Sequence, residues 1–112
     1  MIETNRNKKI SMFRGNTLSF AIKFKGLSSD LTDAYFTCRD RLKGDILFQS
    51  SLGDGIEKVN GEEELTYRFR VSPEKTESLD APNTYVYDVT VDINDDRFTL
   101  LAGPLTLVER VT

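Results

Sequence analysis

Three oxygen-bearing side chains at alternate positions make up the segment of this sequence that is most like a metal-binding loop. Asp92, Asn94 and Asp96 match the first ligand positions of a calcium loop, where oxygens at alternate residues converge on a hard cation. The rest of the pattern is missing, because Arg97 stands where the loop needs a glycine and Gly103 where it needs a bidentate carboxylate. The segment is therefore predicted to be a polar hairpin turn, with no metal or other cofactor.

The remaining reactive residues also argue against catalysis. The sequence has no histidine, which excludes histidine-based nucleophilic and acid–base mechanisms, and its single cysteine, Cys38, can form neither an intrachain disulfide nor a metal cluster. Asp88 and Asp92 share one face of a predicted strand, but four residues of extended chain separate them by about 13 Å, against roughly 5–9.5 Å in glycosidases. We therefore predict a protein that is not an enzyme.

Charge and hydropathy restrict the class of partner. The 112 residues carry 15 Lys+Arg and 18 Asp+Glu, a net charge of -3, so the cations on the predicted strands are better explained by solvated faces and protected edges than by nucleic-acid binding. No stretch approaches the roughly 18 apolar residues of a membrane span, and the N-terminal residues lack the apolar run of a signal peptide. Nucleic acid and membrane are thus not expected as partners, and synthesis in the cytoplasm is expected.

The elements that position these residues are strands, because apolar and polar residues alternate along most of the chain. In residues 17–25 the apolar side chains of Leu18, Phe20, Ile22 and Phe24 share one face. The predicted strands in chain order are residues 17–25, 34–41, 46–50, 56–59, 64–71, 84–93, 97–102 and 105–111. In the second of these, Cys38 falls in the inward phase and is predicted to be a small buried side chain.

Short strands, polar turns and the absence of βαβ alternation predict an all-β fold, an immunoglobulin-like antiparallel β-sandwich. One short helical turn is predicted near residues 73–79, where Ser72 can cap and Pro73 suits the first helical position. Residues 10–112 are predicted to form a single domain, and residues 1–9 a polar, mobile arm that becomes ordered against a neighbouring subunit.

Two features of the later strands carry specific expectations. Tyr85 opens a strand after a crossing loop, as in a tyrosine corner, where the hydroxyl binds upstream backbone; an ordinary core tyrosine is the alternative. Gly103 and Pro104 are expected to interrupt the last strand, because proline cannot donate to a sheet ladder and favours an edge or a bulge.

Taken in order, several segments resemble the N-terminal domains of upper baseplate proteins of tailed phages, a family of small β-sandwich domains. The segments are residues 14–20, 30–36, 71–79, 85–88, 99–105 and 111–112. Asn16 stands where the family more often has aspartate, and both residues suit a turn. The resemblance implies attachment and assembly rather than catalysis, and it supplies no catalytic residues.

The function expected from this resemblance is that of a noncatalytic phage or prophage virion structural protein, a tail or baseplate module that binds other virion proteins and forms homo-oligomers. Its location would be the virion, after synthesis in the bacterial host cytoplasm. The alternative is a carbohydrate- or peptide-binding β-sandwich, with an exposed Tyr35 or Tyr87 as a stacking platform. The candidate interface residues are Lys8, Lys9, Tyr35, Arg39 and Asp88.

Overall fold

Strands dominate residues 8–27 and 29–110, the part of the chain that the computed structural model describes. In chain order the elements are β1 (Ile10–Phe13), β2 (Leu18–Phe24), β3 (Asp33–Arg39), β4 (Ile46–Leu52), β5 (Gly55–Lys58), β6 (Leu65–Val71), the helix α1 (Glu74–Glu77), β7 (Asn83–Ile93) and β8 (Asp96–Val108). Strand predictions in these regions are confirmed, and the helical turn lies within the predicted range.

The strands follow one another in the order β1-β8-β7-β3-β4-β5-β6-β2. All neighbours are antiparallel except β1 with β8 and β4 with β5. The β4–β5 junction has only two paired positions, Ser51 with Gly55 and Leu52 with Ile56, and there the sheet folds over on itself. The result is a sandwich, with β1-β8-β7-β3-β4 in one layer and β5-β6-β2 in the other.

Aromatic rings from both layers meet at Phe36, which is fully buried. Its ring centroid lies 6.0 Å from that of Phe20 in the opposite layer, 6.1 Å from Phe48 and 5.4 Å from Tyr87. Phe20 in turn stacks on Phe69, at 5.3 Å. These contacts follow from the alternation in the sequence, which places one apolar face of each strand towards the other layer.

Two threonines in the outward phase of their strands are buried, which the alternation does not predict. Thr37 accepts a hydrogen bond from Nε2 of Gln49 at 2.8 Å, and the Thr66 hydroxyl donates to the carbonyl of Glu64 at 3.0 Å. Cys38 has the predicted buried position. A buried hydroxyl costs little stability when it is hydrogen-bonded, so a small polar side chain is accommodated at these sites.

The expected interruption of the last strand at Gly103 and Pro104 is wrong, since β8 runs from Asp96 to Val108 without a break. The irregularity lies earlier, where the register shifts between Val89 and Thr90 of β7 and leaves Leu100 of β8 as an extra residue. The absence of a side chain at Gly103 allows the backbone of Lys8 to lie close to β8, because a Cβ atom at Gly103 would be 2.5 Å from the carbonyl oxygen of Lys8.

The strand β1 was not predicted from the sequence. Its backbone pairs in parallel with β8, from Ile10 opposite Leu105 onwards. Lys8, two residues before β1, is also attached to the sandwich. Its amide donates to the Ala102 carbonyl at 3.0 Å, and its carbonyl accepts a hydrogen bond from the Tyr87 hydroxyl at 2.6 Å. Of the predicted arm, residues 1–7 lie outside the described residues, whereas Lys8 is fixed to its own sheet.

The loop before β7 forms the predicted tyrosine corner. The Tyr85 hydroxyl donates to the backbone carbonyl of Asp80 at 2.9 Å, and the ring is buried. The helix α1 differs in one detail, because the Ser72 side chain does not cap it. That hydroxyl donates instead to the Glu74 carboxylate at 2.7 Å, which lowers the pKa of Glu74.

The Phe36 contacts lead to a stability prediction. Phe36→Ala should lower the free energy of unfolding by about 3–5 kcal/mol, because it removes a fully buried ring and leaves a cavity between the layers. The matched control is Phe98→Ala, which truncates a ring that is 37% exposed and should cost much less. Urea denaturation of both variants tests this, and equal losses would contradict the central role of Phe36.

Candidate functional site

The outer face of β4, β3, β7 and β8, on the reverse side of the core, contains a polar depression of about 390 Å³. Side chains that point away from the core form its walls. They are Tyr35, Thr37, Arg39, Gln49, Asp88, Thr90, Arg97 and Thr99. We call this depression the polar groove.

Strand register explains why these side chains meet. Thr37 of β3 lies opposite Asp88 of β7 and opposite Gln49 of β4, and Tyr35 lies opposite Thr90. Side chains at paired positions of neighbouring strands point to the same face of a sheet. The groove is therefore the outward phase of the strands whose inward phase builds the core.

One end of the polar groove is held by a network around Tyr35. The Arg97 guanidinium donates two hydrogen bonds to the Asp92 carboxylate, at 2.7 and 3.0 Å, and lies 6.0 Å from the centroid of the Tyr35 ring. The Tyr35 hydroxyl donates to the Asp33 carboxylate at 2.6 Å, and this bond raises the pKa of Tyr35. The hydrogen bonds between Asp92 and Arg97 lower the pKa of Asp92 and raise the pKa of Arg97. The Arg97 side chain is thus held in place at the groove wall.

Two charges of opposite sign occupy the middle of the face. Nη1 of Arg39 donates to the Gly44 carbonyl at 2.8 Å, and Oδ1 of Asp88 faces the Thr90 hydroxyl at 3.4 Å. Within residues 8–27 and 29–110, neither Arg39 nor Asp88 has an ion-pair partner within 4.0 Å. Both groups therefore remain able to pair with charges on another molecule.

A second depression of about 390 Å³ adjoins the first and has a more apolar lining. It shares Thr37, Arg39 and Asp88 with the polar groove, and Lys43 adds a further positive charge. The apolar residues of its lining are Leu42, Val86, Tyr87, Ala102 and Pro104. We call it the apolar groove. Leu42 is 82% exposed, so a large apolar side chain stands in water beside the two charges.

The structure brings three of the five predicted interface residues together, because Tyr35, Arg39 and Asp88 all line the polar groove. Lys8 and Lys9 are exposed and lie beside β8, which forms one wall of the apolar groove. The prediction that Tyr87 is an exposed stacking platform is wrong.

The Tyr87 ring is 4% exposed and stacks on Phe36 in the core, as expected for a side chain in the same phase as the buried Tyr85 and Val89. Desolvation accordingly raises the pKa of its hydroxyl. Leu42, Pro104 and Arg97 also line the two grooves, and sequence reasoning did not select them. An isolated leucine in a polar loop was the one signal available for Leu42.

The predicted calcium-like segment forms a hairpin turn. Asn94 adopts a positive φ of 55°, Ile93 pairs with Asp96 across the turn, and the Asp92 carboxylate is taken up by Arg97. Among the described residues, no three His, Cys, Asp or Glu side chains cluster closely enough to hold a metal ion. The turn therefore has a conformational role in closing the β7–β8 hairpin.

The one thiol of the chain is poorly suited to nucleophilic chemistry. Burial raises the pKa of Cys38 to about 12, so the thiol stays protonated at neutral pH.

The single described helix, Glu74–Glu77, spans four residues, and no helix in the described ranges is long and apolar enough to cross a membrane.

The segment at residues 14–20, which carries part of the family resemblance, fastens the β1–β2 turn to the rest of the chain. Arg14 forms an ion pair with Glu109 and donates to the Glu77 carbonyl at 3.1 Å. The Gly15 amide donates to the buried Thr76 hydroxyl at 2.8 Å. These residues connect the turn to α1 and to the chain after β8, and they lie apart from the groove linings.

Comparison with known proteins bears on the fold. The chain matches no protein-family model and no curated protein sequence. Among solved structures it is similar to the BTLA ectodomain, an immunoglobulin-like structure, with a TM-score of 0.50 and 13% sequence identity over 98% of this chain and 99% of that chain. The chain has an immunoglobulin-like fold. The β-sandwich predicted from strand spacing is thereby confirmed, and at this identity the similarity concerns the fold alone.

The Asp92–Arg97 pair predicts a specific response to acid. Because Arg97 holds the pKa of Asp92 below its ordinary value of 3.8, the ionised carboxylate stabilises the fold above that pH. This contribution is lost as the pH falls through the lowered pKa. The difference in free energy of unfolding between the parent and Asp92→Asn should therefore narrow below about pH 4.

Urea titrations at several pH values measure this difference. The control is Asp95→Asn, which changes an exposed carboxylate in the same hairpin turn. A difference between the parent and Asp92→Asn that stays constant from pH 7 to pH 2 would show that the ion pair does not contribute to folding.

Proposed function

We propose that this chain is a noncatalytic structural protein of a phage or prophage virion, a tail or baseplate module that attaches to other virion proteins through its outer face. The observation that carries the proposal is the pairing of a polar groove and an apolar groove on one sheet face, with Arg39 and Asp88 between them. The family resemblance along the sequence supplies the virion context.

The character of the face favours a protein partner. Protein interfaces combine apolar anchors with polar groups, and the two grooves place Leu42 and Pro104 beside two positive charges and one negative charge, those of Arg39, Lys43 and Asp88. A protein segment can fill an apolar depression and pair these charges at once. The strands beneath the face belong to the core, so the surface is presented on a rigid support.

The carbohydrate alternative has less support from the geometry. A sugar platform needs an open aromatic face, whereas the Tyr35 ring carries the Arg97 guanidinium and Tyr87 is buried. The hydroxyl groups of the polar groove are compatible with a sugar or a peptide main chain. We therefore retain glycan binding as an outcome of the test.

The test uses an epitope-tagged chain expressed in the host during phage production, followed by density-gradient purification of the particles. The parent should be found with tail particles. Asp88→Lys should reduce incorporation by about tenfold or more, because it reverses a charge at the centre of the docking face. The matched control, Asp54→Lys, makes the same charge change in the β4–β5 turn and should retain incorporation.

Absence of the parent chain from purified particles would overturn the virion role. Equal incorporation of Asp88→Lys and Asp54→Lys would overturn the role of the outer face. Saturable binding of a defined glycan by the parent, lost in Asp88→Lys, would replace the proposal with the carbohydrate-binding function.

A further inference from the structure

We infer that the outer face binds a second copy of this chain, in a two-fold symmetric dimer in which Arg39 of each copy pairs with Asp88 of the other. The inference rests on the proposed function, because it uses the same docking face, and it names the partner of that face. The argument depends on the positions of the two charges, on the absence of an ion-pair partner for either within residues 8–27 and 29–110, and on the apolar side chain beside them.

The two charges are close neighbours on the sheet. Asp88 lies directly opposite Thr37, and Arg39 lies two residues further along β3, so Arg39 and Asp88 are diagonal neighbours at a typical separation of about 7–8 Å. At this separation an intramolecular ion pair could form, yet Arg39 donates instead to the Gly44 carbonyl. Within the described ranges, the structure thus leaves both charges available on one face of the sheet.

Two opposite charges side by side on one sheet face form a self-complementary pattern. A two-fold axis that lies in the interface and bisects the line between the two groups exchanges their positions. In an isologous interface, residue i contacts residue j and residue j contacts residue i. Arg39 of one copy then faces Asp88 of the other, and Asp88 of the first copy faces Arg39 of the second. The dimer therefore contains two ion pairs between its copies.

The apolar surface next to the charges favours the same arrangement. Leu42 is 82% exposed and lines the apolar groove together with Val86 and Pro104. A copy docked over the charge pair covers this surface and removes water from around both ion pairs, which strengthens them. The contact then has paired charges at its centre and apolar side chains beside them.

Charge reversal provides the test. Arg39→Glu and Asp88→Arg are purified separately, and the association of each is measured by sedimentation velocity over a range of concentrations. Each variant alone places like charges opposite one another twice, so its dissociation constant should rise at least about tenfold above that of the parent. An equimolar mixture of the two variants should dimerise again, because both contacts in the mixed dimer join opposite charges.

Controls separate this outcome from misfolding and from a general charge effect. Arg68→Glu makes the same change on the exposed face of β6, in the other layer, and should leave the dimer intact. Recovery in the mixture itself shows that both single variants are folded. Leu42→Ser should weaken the dimer by about tenfold without affecting the fold, as expected for an apolar side chain that is buried in the contact.

The inference would be overturned by a parent chain that remains monomeric at the highest protein concentration used in the sedimentation series. It would also be overturned by single variants that dimerise as strongly as the parent, or by a mixture that remains monomeric. None of these results decides the proposed function, because incorporation of the tagged chain into particles is measured separately. A monomeric parent that is incorporated, with loss in Asp88→Lys, would assign the face to a different virion protein.

Discussion

The packing of aromatic rings around Phe36 is the contact on which the remaining structure depends. It is the point where β2 of one layer meets β3, β4 and β7 of the other, through Phe20, Phe48 and Tyr87. Because successive side chains of a strand point to opposite faces, burying Phe36 also determines that Tyr35 and Thr37 face the outside. A shift of one residue in the β3 register would reverse this arrangement and place polar side chains between the layers.

The candidate docking face is therefore a consequence of the core. Arg39 and Asp88 lie in the outward phase of β3 and β7, two interior strands of their layer. Asp88 follows and precedes buried residues, Tyr87 and Val89, and Arg39 follows the buried Cys38. A loop-borne site would be free to move relative to the core. The strand residues of this face can move only together with the sandwich, which favours recognition of a partner surface of fixed shape.

The sequence allowed prediction of the elements whose signal is local. The alternation in residues 17–25 and 84–93 gave strands at β2 and β7, and the loop before Tyr85 gave the tyrosine corner. The strand β1 could not be predicted in the same way, because four residues are too short for a clear period and its partner, β8, is more than 90 residues away. Long-range pairing leaves no trace in the spacing of either strand.

The composition of the grooves was beyond prediction for a related reason. Tyr35, Arg39 and Asp88 were selected from their outward phase, but Leu42 and Pro104 come from a loop and from β8, and only the strand order brings them together. The Tyr87 ring is buried, as its phase with the buried Tyr85 indicates, so the prediction of an exposed ring at this position is wrong. The alternation was the better physical guide.

The contrast between two arginines of the outer face gives its charges a functional meaning. Arg97 is neutralised by Asp92 through two hydrogen bonds and packs over the Tyr35 ring, so it helps to build the wall of the polar groove. Arg39, with an acidic side chain as its diagonal neighbour, donates to a backbone carbonyl and forms no ion pair with any residue that the structure describes. Burying an unpaired charge at an interface is costly, whereas an opposite charge on the partner offsets much of that desolvation cost. The centre of the face therefore disfavours partner surfaces that lack complementary charges. A partner surface with complementary charges is further stabilised by contact with the apolar groove.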